Sequence, residues 1–215
     1  MKIKVLIADD HAIVREGMKM ILDSQPHITV IGEAKDGRDA VAQAIALRPD
    51  IVIMDIAMPG LNGIEATHMI HQSLPMVKII ILSMHNTSEY VFRAMQAGAQ
   101  GYILKESAGS EIHNAIHAVM AGKSYCCGET KKVQESLPSL RKSGLQSPLE
   151  RLSGREREVL QLVVEGKTSV EIAAILNLSP KSVETYRSRM MQKLRINDVP
   201  SLVKFAIQHG ITPEV

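Results

Sequence analysis

Ile51-Val-Ile-Met-Asp55 decides how the rest of the chain reads. Four apolar residues run into one carboxylate, and Met58-Pro59-Gly60 breaks the chain just after it. A short apolar run closed by a turn is the mark of a strand buried on both faces, as in a parallel sheet. Asp55 then stands where the strand emerges, and open α/β sheets bind ligands at the carboxyl ends of their strands. A polar residue ending a strand is common in itself. Its meaning depends on what the neighbouring strand ends carry.

Strand-like and helix-like stretches alternate on either side. Lys2 to Ala8 is β-branched and apolar, a first strand. Ile13, Val14, Met18, Ile21 and Leu22 recur at helical spacing. Ile28 to Ile31 reads as a second strand, Gly37 to Leu47 and Asn62 to Leu74 as helices. Val77 to Ser83 holds Ile79-Ile-Ile-Leu82, a fourth buried strand. Ser88 to Ala97 is a helix stopped by Gly98, Gly101 to Leu104 a short fifth strand, and Ser107 to Ala121 a helix before Gly122. Five strands alternating with five helices predict an α/β doubly wound, five-stranded parallel sheet with right-handed crossovers.

That topology aligns the polar strand ends on one rim. Asp9 and Asp10 follow the first strand, Asp55 ends the third, Ser83 the fourth, and Lys105 follows the fifth. Three crowded carboxylates repel one another unless a cation joins them. Mg²⁺ prefers oxygen ligands and bridges carboxylates to phosphate. A hydroxyl and a lysine across the same rim can hold phosphoryl oxygens, and a carboxylate nucleophile there can form an acyl phosphate.

Leu6-Ile-Ala-Asp-Asp-His11, Asp55-Ile-Ala-Met-Pro59-Gly60, Asn62-Gly63, Ile81-Leu-Ser83 and Gly101-Tyr-Ile-Leu-Lys105 together resemble the flavodoxin-like receiver domain of two-component response regulators. The resemblance spans residues 1–122. It implies that Asp55 accepts phosphate from a phosphohistidine on a sensor histidine kinase. It implies Mg²⁺ held by Asp10, Asp55 and the backbone carbonyl of Ala57, with Asp9 assisting through water. Ser83 and Lys105 would contact the attached phosphoryl group, and Tyr102 occupies the family's aromatic switch position. Two departures stand out. Glu106 follows Lys105 where many receivers carry proline, so no cis peptide is expected. Met84 follows Ser83 where a small residue is frequent, and its bulk is expected to restrict how far Tyr102 turns inward.

Residues 123–150 lose periodicity and gather Pro138, Pro148, Gly128 and Gly144, the composition of a mobile linker with one weak helical turn. Order returns at Leu152. Ser153-Gly-Arg-Glu156 and Thr168-Ser-Val-Glu171 are capping boxes, each opening a helix. Asn177-Leu-Ser179 is a tight turn, and Ser179 can cap a helix that Pro180 begins. That helix runs to about Leu194, and a last one from near Pro200 to His209-Gly210. Two helices across a short turn form a helix-turn-helix. In the helix from Pro180, Val183, Met190 and Leu194 face inward with Tyr186 at the edge. The other face is polar and cationic, as groove reading requires.

Leu152-Ser-Gly-Arg-Glu-Arg-Glu158, Glu171-Ile-Ala, Leu178-Ser, Lys181-Ser-Val183 and Gln192-Lys-Leu194 are similar to the LuxR-type DNA-binding domain, here a small all-α unit at 151–215. With the receiver, they resemble the NarL/FixJ group of response regulators. By position, Glu184, Thr185 and Ser188 would approach base edges, and Lys181, Ser182, Arg187, Arg189 and Lys193 phosphates of double-stranded DNA. The final helix, around Val199 to Ile207, would be the homodimer contact on DNA.

Composition agrees with such a division. Residues 1–121 carry 10 Lys/Arg against 13 Asp/Glu, and residues 151–215 carry 10 against 7. An acidic first part and a basic last part suggest nucleic acid at the C-terminal end. No apolar run approaches the roughly 20 residues that span a bilayer, and Met1-Lys-Ile-Lys-Val reads as a strand and not a signal peptide. Cys126 and Cys127 read as free thiols in a reducing cytoplasm. His11 reads as a helix-start residue, and His68, His71, His113 and His117 as belonging to solvated helix faces. Met18, Met20, Met69, Met95 and Met120 read as packing material.

These observations favour a phosphorylation-switched, cytoplasmic transcription regulator that is not a conventional enzyme. One rival is a phosphatase-like hydrolase, but Ala57 occupies the place two residues after Asp55 where such an enzyme needs a second carboxylate. The other is a DNA-binding module that uses its first domain only for dimerisation, which leaves the complete Asp9, Asp10, Asp55, Ser83, Lys105 set without a purpose.

Overall fold

The computed structural model describes residues 2–126, 128 and 147–211. The chain forms two compact units, residues 1–143 and 144–215. In the first, β1 (Ile3–Ala8), α1 (Ala12–Asp23), β2 (Ile28–Ala34), α2 (Gly37–Leu47), β3 (Ile51–Asp55), α3 (Gly63–Ser73), β4 (Lys78–Ser83), α4 (Ser88–Ala97), β5 (Gly101–Leu104) and α5 (Ala108–Met120) alternate. A 3₁₀ turn, Lys105–Ser107, joins β5 to α5, and β6 (Tyr125–Cys126) follows. All strand pairs are parallel, in the order β2-β1-β3-β4-β5-β6.

The sheet therefore has six strands and not the expected five. The sixth is two residues long, too short to leave a periodic signal. It adds Tyr125 beside Gly101 and Cys126 beside Tyr102, so the sheet runs past the boundary expected at residue 122 and into the stretch read as linker. Cys126 is buried and forms no disulfide among the described residues. Cys127 and residues 129–146, most of that linker, lie outside the described residues.

Period-two alternation divides the sheet residues between two cores. Leu6, Ala8, Val52, Met54, Ile79, Ile81 and Tyr102 pack with α2, α3 and α4. Val5, Ile7, Ile51, Ile53, Ile80, Leu82 and Ile103 pack with α1 and α5. Helices on both faces explain why β3 and β4 read as unbroken apolar runs: every residue from Ile51 to Asp55 is buried. The methionines divide. Met18 is buried and Met95 packs against the core, but Met20 is 76% exposed on α1, contrary to its expected packing role. Met69 and Met120 are also partly exposed.

The second unit begins with a 3₁₀ turn, Pro148–Arg151, followed by α6 (Gly154–Val164), α7 (Ser169–Leu176), α8 (Pro180–Leu194) and α9 (Val199–Gln208). Both capping boxes form: Ser153 with Glu156, and Thr168 with Glu171. The α7–α8 turn works because Asn177 takes a left-handed conformation (φ 52°), and Asn tolerates that region better than most side chains. Ser179 then caps α8 by accepting from Ser182 N at 3.1 Å. Val159, Leu160, Ile172, Leu176, Val183, Met190, Leu202 and Ala206 form the core of this unit.

Candidate functional site

Strand register builds the first site. Ala8 pairs with Met54, Asp55 with Leu82, and Ser83 with Leu104. The residues that follow or close these strands, Asp9, Asp55, Ser83 and Lys105, are thereby brought to one carboxyl-end rim. Asp9, Asp55 and Ser83 are almost wholly buried. Lys105 Nζ lies 2.8 Å from Asp9 Oδ2 and 3.0 Å from Asp55 Oδ2. Asp9 Oδ1 accepts from the His11 backbone N–H at 2.9 Å, which folds the start of α1 back onto β1. Asp10 is more exposed and lies against His11, with Nδ1 to Oδ1 2.8 Å. His11 is the N-cap residue of α1, as the sequence suggested, although its side chain makes no cap bond.

The loop after Asp55 is held tightly. The Ile56 carbonyl accepts from Met58 N at 3.0 Å and Gly63 N at 2.9 Å. Asn62 Oδ1 caps α3 through Ile64 N and Glu65 N. A Cβ on Gly63 would sit 1.8 Å from the Asp55 carbonyl oxygen, so only glycine lets α3 start against the end of β3. No backbone hydrogen bond among the described residues engages the Ala57 carbonyl.

Electrostatics set the state of the pocket. Burial first, then the Asp9 charge, raise the Asp55 pKa to about 6, against the lowering pull of Lys105. Burial alone would depress the Lys105 ammonium, but Asp55 and Asp9 outweigh it and hold its pKa above the ordinary value. The oxygen donors of Asp9, Asp10 and Asp55, with a His11 nitrogen, approach within 4.8 Å of one another. Crowded hard oxygen donors with a raised carboxyl pKa are a donor set suited to a small divalent cation.

Ser83 and Tyr102 meet through one backbone residue. His85 N donates to Ser83 Oγ at 3.0 Å, and the His85 carbonyl accepts from the Tyr102 hydroxyl at 2.7 Å. Tyr102 is completely buried, and burial pushes its hydroxyl pKa well above the usual phenol range. Met84 does not obstruct it, contrary to expectation. Met84, just past the end of β4, is 72% exposed, while Tyr102 is fully buried.

The histidines differ from the sequence reading. Of the four helix histidines, His117 alone is exposed; His68, His71 and His113 are half-buried. His71 packs under Gly98, where a Cβ would fall 2.4 Å from its Cγ. His113 and His117 gather with His27, a residue that sequence spacing could not associate with them because it precedes β2. Burial first, then the His117 and His27 rings, lower the His113 pKa.

On α8, Lys181, Glu184, Thr185, Ser188 and Arg189 are exposed, and Ser182 and Arg187 half-exposed. Glu184 and Arg187 are both tied to Ser169 on α7, Arg187 Nη1 donating to its Oγ at 3.0 Å. Lys193 Nζ lies 2.6 Å from Oε2 of the buried Glu156. Sequence reasoning placed Lys193 among phosphate contacts and missed this internal partner. Burial raises the Glu156 carboxyl, but bonds from Lys193 and Ser153 outweigh it and leave the pKa below the ordinary range.

The comparisons agree with both halves. The family described as "Response regulator receiver domain" matches residues 5–117. "Bacterial regulatory proteins, luxR family" matches residues 150–206. The response regulator UvrY of Escherichia coli (strain K12) is 40% identical over 209 residues, covering 97% of this chain and 95% of UvrY. The oxygen regulatory protein NreC of Staphylococcus carnosus (strain TM300) is 38% identical, covering 95% and 97%. Among solved structures, an RcsB–DNA complex has a TM-score of 0.60 at 28% identity, covering 97% of this chain and 99% of that one. RcsB of Salmonella typhimurium reaches 0.67 at 27% identity, covering 97% and 98%. The chain therefore belongs to the NarL/FixJ family of response regulators, transcription regulators that join a receiver to a LuxR-type DNA-binding domain.

Proposed function

We propose that Asp55 is the phosphoacceptor and that its phosphorylation by a sensor histidine kinase controls how α8 engages promoter DNA. The observation that carries this reading is the convergence of Asp9, Asp55 and Lys105 on one buried rim, within 3.0 Å of a shared ammonium. An Asp55 carboxylate oxygen attacks the phosphorus of a phosphohistidine. The P–O bond forms as the P–N bond breaks, and the electron pair leaves with the imidazole nitrogen. Lys105 then exchanges its carboxylate contact for the new phosphoryl oxygens, and Ser83 Oγ donates to another.

Asp10, Asp55 and the Ala57 carbonyl would hold Mg²⁺, with Asp9 behind them. Bound there, the ion offsets carboxylate repulsion and neutralises phosphoryl charge. The Ser83–His85–Tyr102 chain gives the phosphoryl contact a route to the surface around β5, where Tyr102 serves as the switch residue. Phosphate shifts a population only through contacts that differ between states, and these bonds supply such contacts.

In the second unit we assign Glu184, Thr185 and Ser188 to base edges, and Lys181, Ser182, Arg187, Arg189 and Lys193 to phosphates. Solved RcsB structures contain DNA, one with two RcsB dimers on two parallel DNAs. By likeness, we assign α9 to the dimer contact of this chain on DNA. No helix among the described residues is long and apolar enough to cross a membrane, consistent with a cytoplasmic regulator. The test compares duplex DNA affinity and molecular mass with and without beryllofluoride and Mg²⁺. Tighter binding and a dimer with the mimic are expected; identical affinity and mass would overturn phosphate control.

A further inference from the structure

Three histidines meet at the opposite rim of the sheet. His27 immediately precedes β2, and its carbonyl accepts from Ile3 N, the first residue of β1, at 2.8 Å. This fixes its backbone at the amino ends of the strands, away from Asp55. Helix α5 leaves the carboxyl-end rim after Lys105 and returns across the sheet, so His113 and His117 arrive beside His27. Spaced by four residues, those two share one helix face. The apolar residues Ile112, Ala115, Ile116 and Val119 pack α5 on the sheet and so fix where that face points.

The three rings pack closely. Centroids are 4.5 Å apart for His113 and His117, 5.2 Å for His27 and His117, and 5.5 Å for His27 and His113. One nitrogen from each ring lies within 4.8 Å of the others. Two ring nitrogens, His27 Nε2 and His113 Nδ1, are buried and make no hydrogen bond among the described residues. A buried imidazole nitrogen with no partner costs free energy that a ligand would recover. No ion pair to any of these three rings occurs among the described residues.

We propose that His27, His113 and His117 bind one first-row divalent cation of borderline softness, such as Zn²⁺, Ni²⁺ or Cu²⁺. Neutral imidazoles select these ions over Mg²⁺, which belongs with the oxygen donors of the other rim. Two nitrogens each about 2.1 Å from one tetrahedral ion lie about 3.4 Å apart. The cluster, whose nitrogens lie within 4.8 Å of one another, must therefore close on the ion, and the exposed His117 is placed to supply that movement. Three protein nitrogens leave a fourth tetrahedral position to water. The site is independent of the phosphoacceptor assignment.

The test titrates Zn²⁺, and separately Co²⁺, into the full chain with excess Mg²⁺ occupying the carboxylate pocket. One ion per chain is expected, with visible cobalt absorption of imidazole ligation. Loss of an outer partner of a metal ligand weakens binding about 10–100-fold, and His117→Gln removes a ligand itself, so at least that loss is expected. His68→Gln, on α3, should leave affinity unchanged. Ring NMR signals of all three histidines should shift together on Zn²⁺ addition, a readout that needs no variant. Unchanged affinity in a folded His113→Gln/His117→Gln chain would overturn the proposal. So would ring signals that ignore the ion, or half an equivalent shared between two chains.

Discussion

The ammonium of Lys105 stands 3.0 Å from Oδ2 of Asp55, reaching from the end of β5 across β4 to the end of β3. Only 13% of the lysine side chain is exposed. It faces two buried carboxylates, so removing it leaves like charges together. Lys105→Ala is expected to destabilise the first unit by about 3 kcal/mol at pH 7, as breaking a buried ion pair does. The loss should shrink at pH 4, below the Asp55 pKa of about 6, where that carboxyl is protonated. Denaturant unfolding at the two pH values checks this.

Asp55 has the opposite sign. Its folded pKa of about 6 lies above the unfolded value near 3.8. Between these values the folded chain retains a proton that the unfolded chain has released, so stability falls as pH rises through the window. About 2 pKa units correspond to about 3 kcal/mol. In metal-free buffer at pH 7.5, Asp55→Asn should therefore be more stable than the parent chain, and the two should coincide below pH 4. Thermal unfolding across pH measures the difference.

Tyr102→Phe removes the hydroxyl that donates to the His85 carbonyl at 2.7 Å. A cost of about 1 kcal/mol in stability is expected from the lost bond. If Tyr102 couples Ser83 to the surface, the variant should still accept phosphate but show a smaller gain in DNA affinity on phosphorylation. Parallel measurement of phosphorylation yield and affinity distinguishes these effects.

Lys193 has two possible partners, and salt separates them. Lys193→Ala should destabilise the second unit at neutral pH by leaving buried Glu156 without its ammonium. The depressed Glu156 pKa means that this stabilisation exists above the unfolded carboxyl value and is lost as pH falls through the folded one. Each cation that contacts a phosphate contributes about 0.9 to the slope of log affinity against log salt. Arg189→Ala should reduce the slope by that amount. Lys193→Ala should do so only if DNA draws the lysine from Glu156.

Much of this was legible in the residues. Ile51–Asp55 and Lys78–Ser83 declared themselves because burial on both faces demands unbroken apolar runs. The rim residues followed, since a parallel sheet gathers its carboxyl ends. The capping boxes at Ser153 and Thr168 fixed helix starts through side chains whose bonding is local. What stayed hidden depends on distant partners. The strand Tyr125–Cys126 exists only by pairing with β5. The Lys193–Glu156 pair joins residues 37 positions apart. His27 meets His113 and His117 only after β2 and α5 have docked. Bulk at Met84 does not reach Tyr102, because the exposure of a residue just past a strand end is set by the fold and not by its size.

The proposed switch requires Asp55 to carry the phosphoryl group. Intact-mass spectrometry of the full chain and of Asp55→Asn, each incubated with acetyl phosphate and Mg²⁺, measures this. The parent chain should gain a single phosphoryl group and the variant none. An equal phosphorylated fraction in the variant would contradict the assignment.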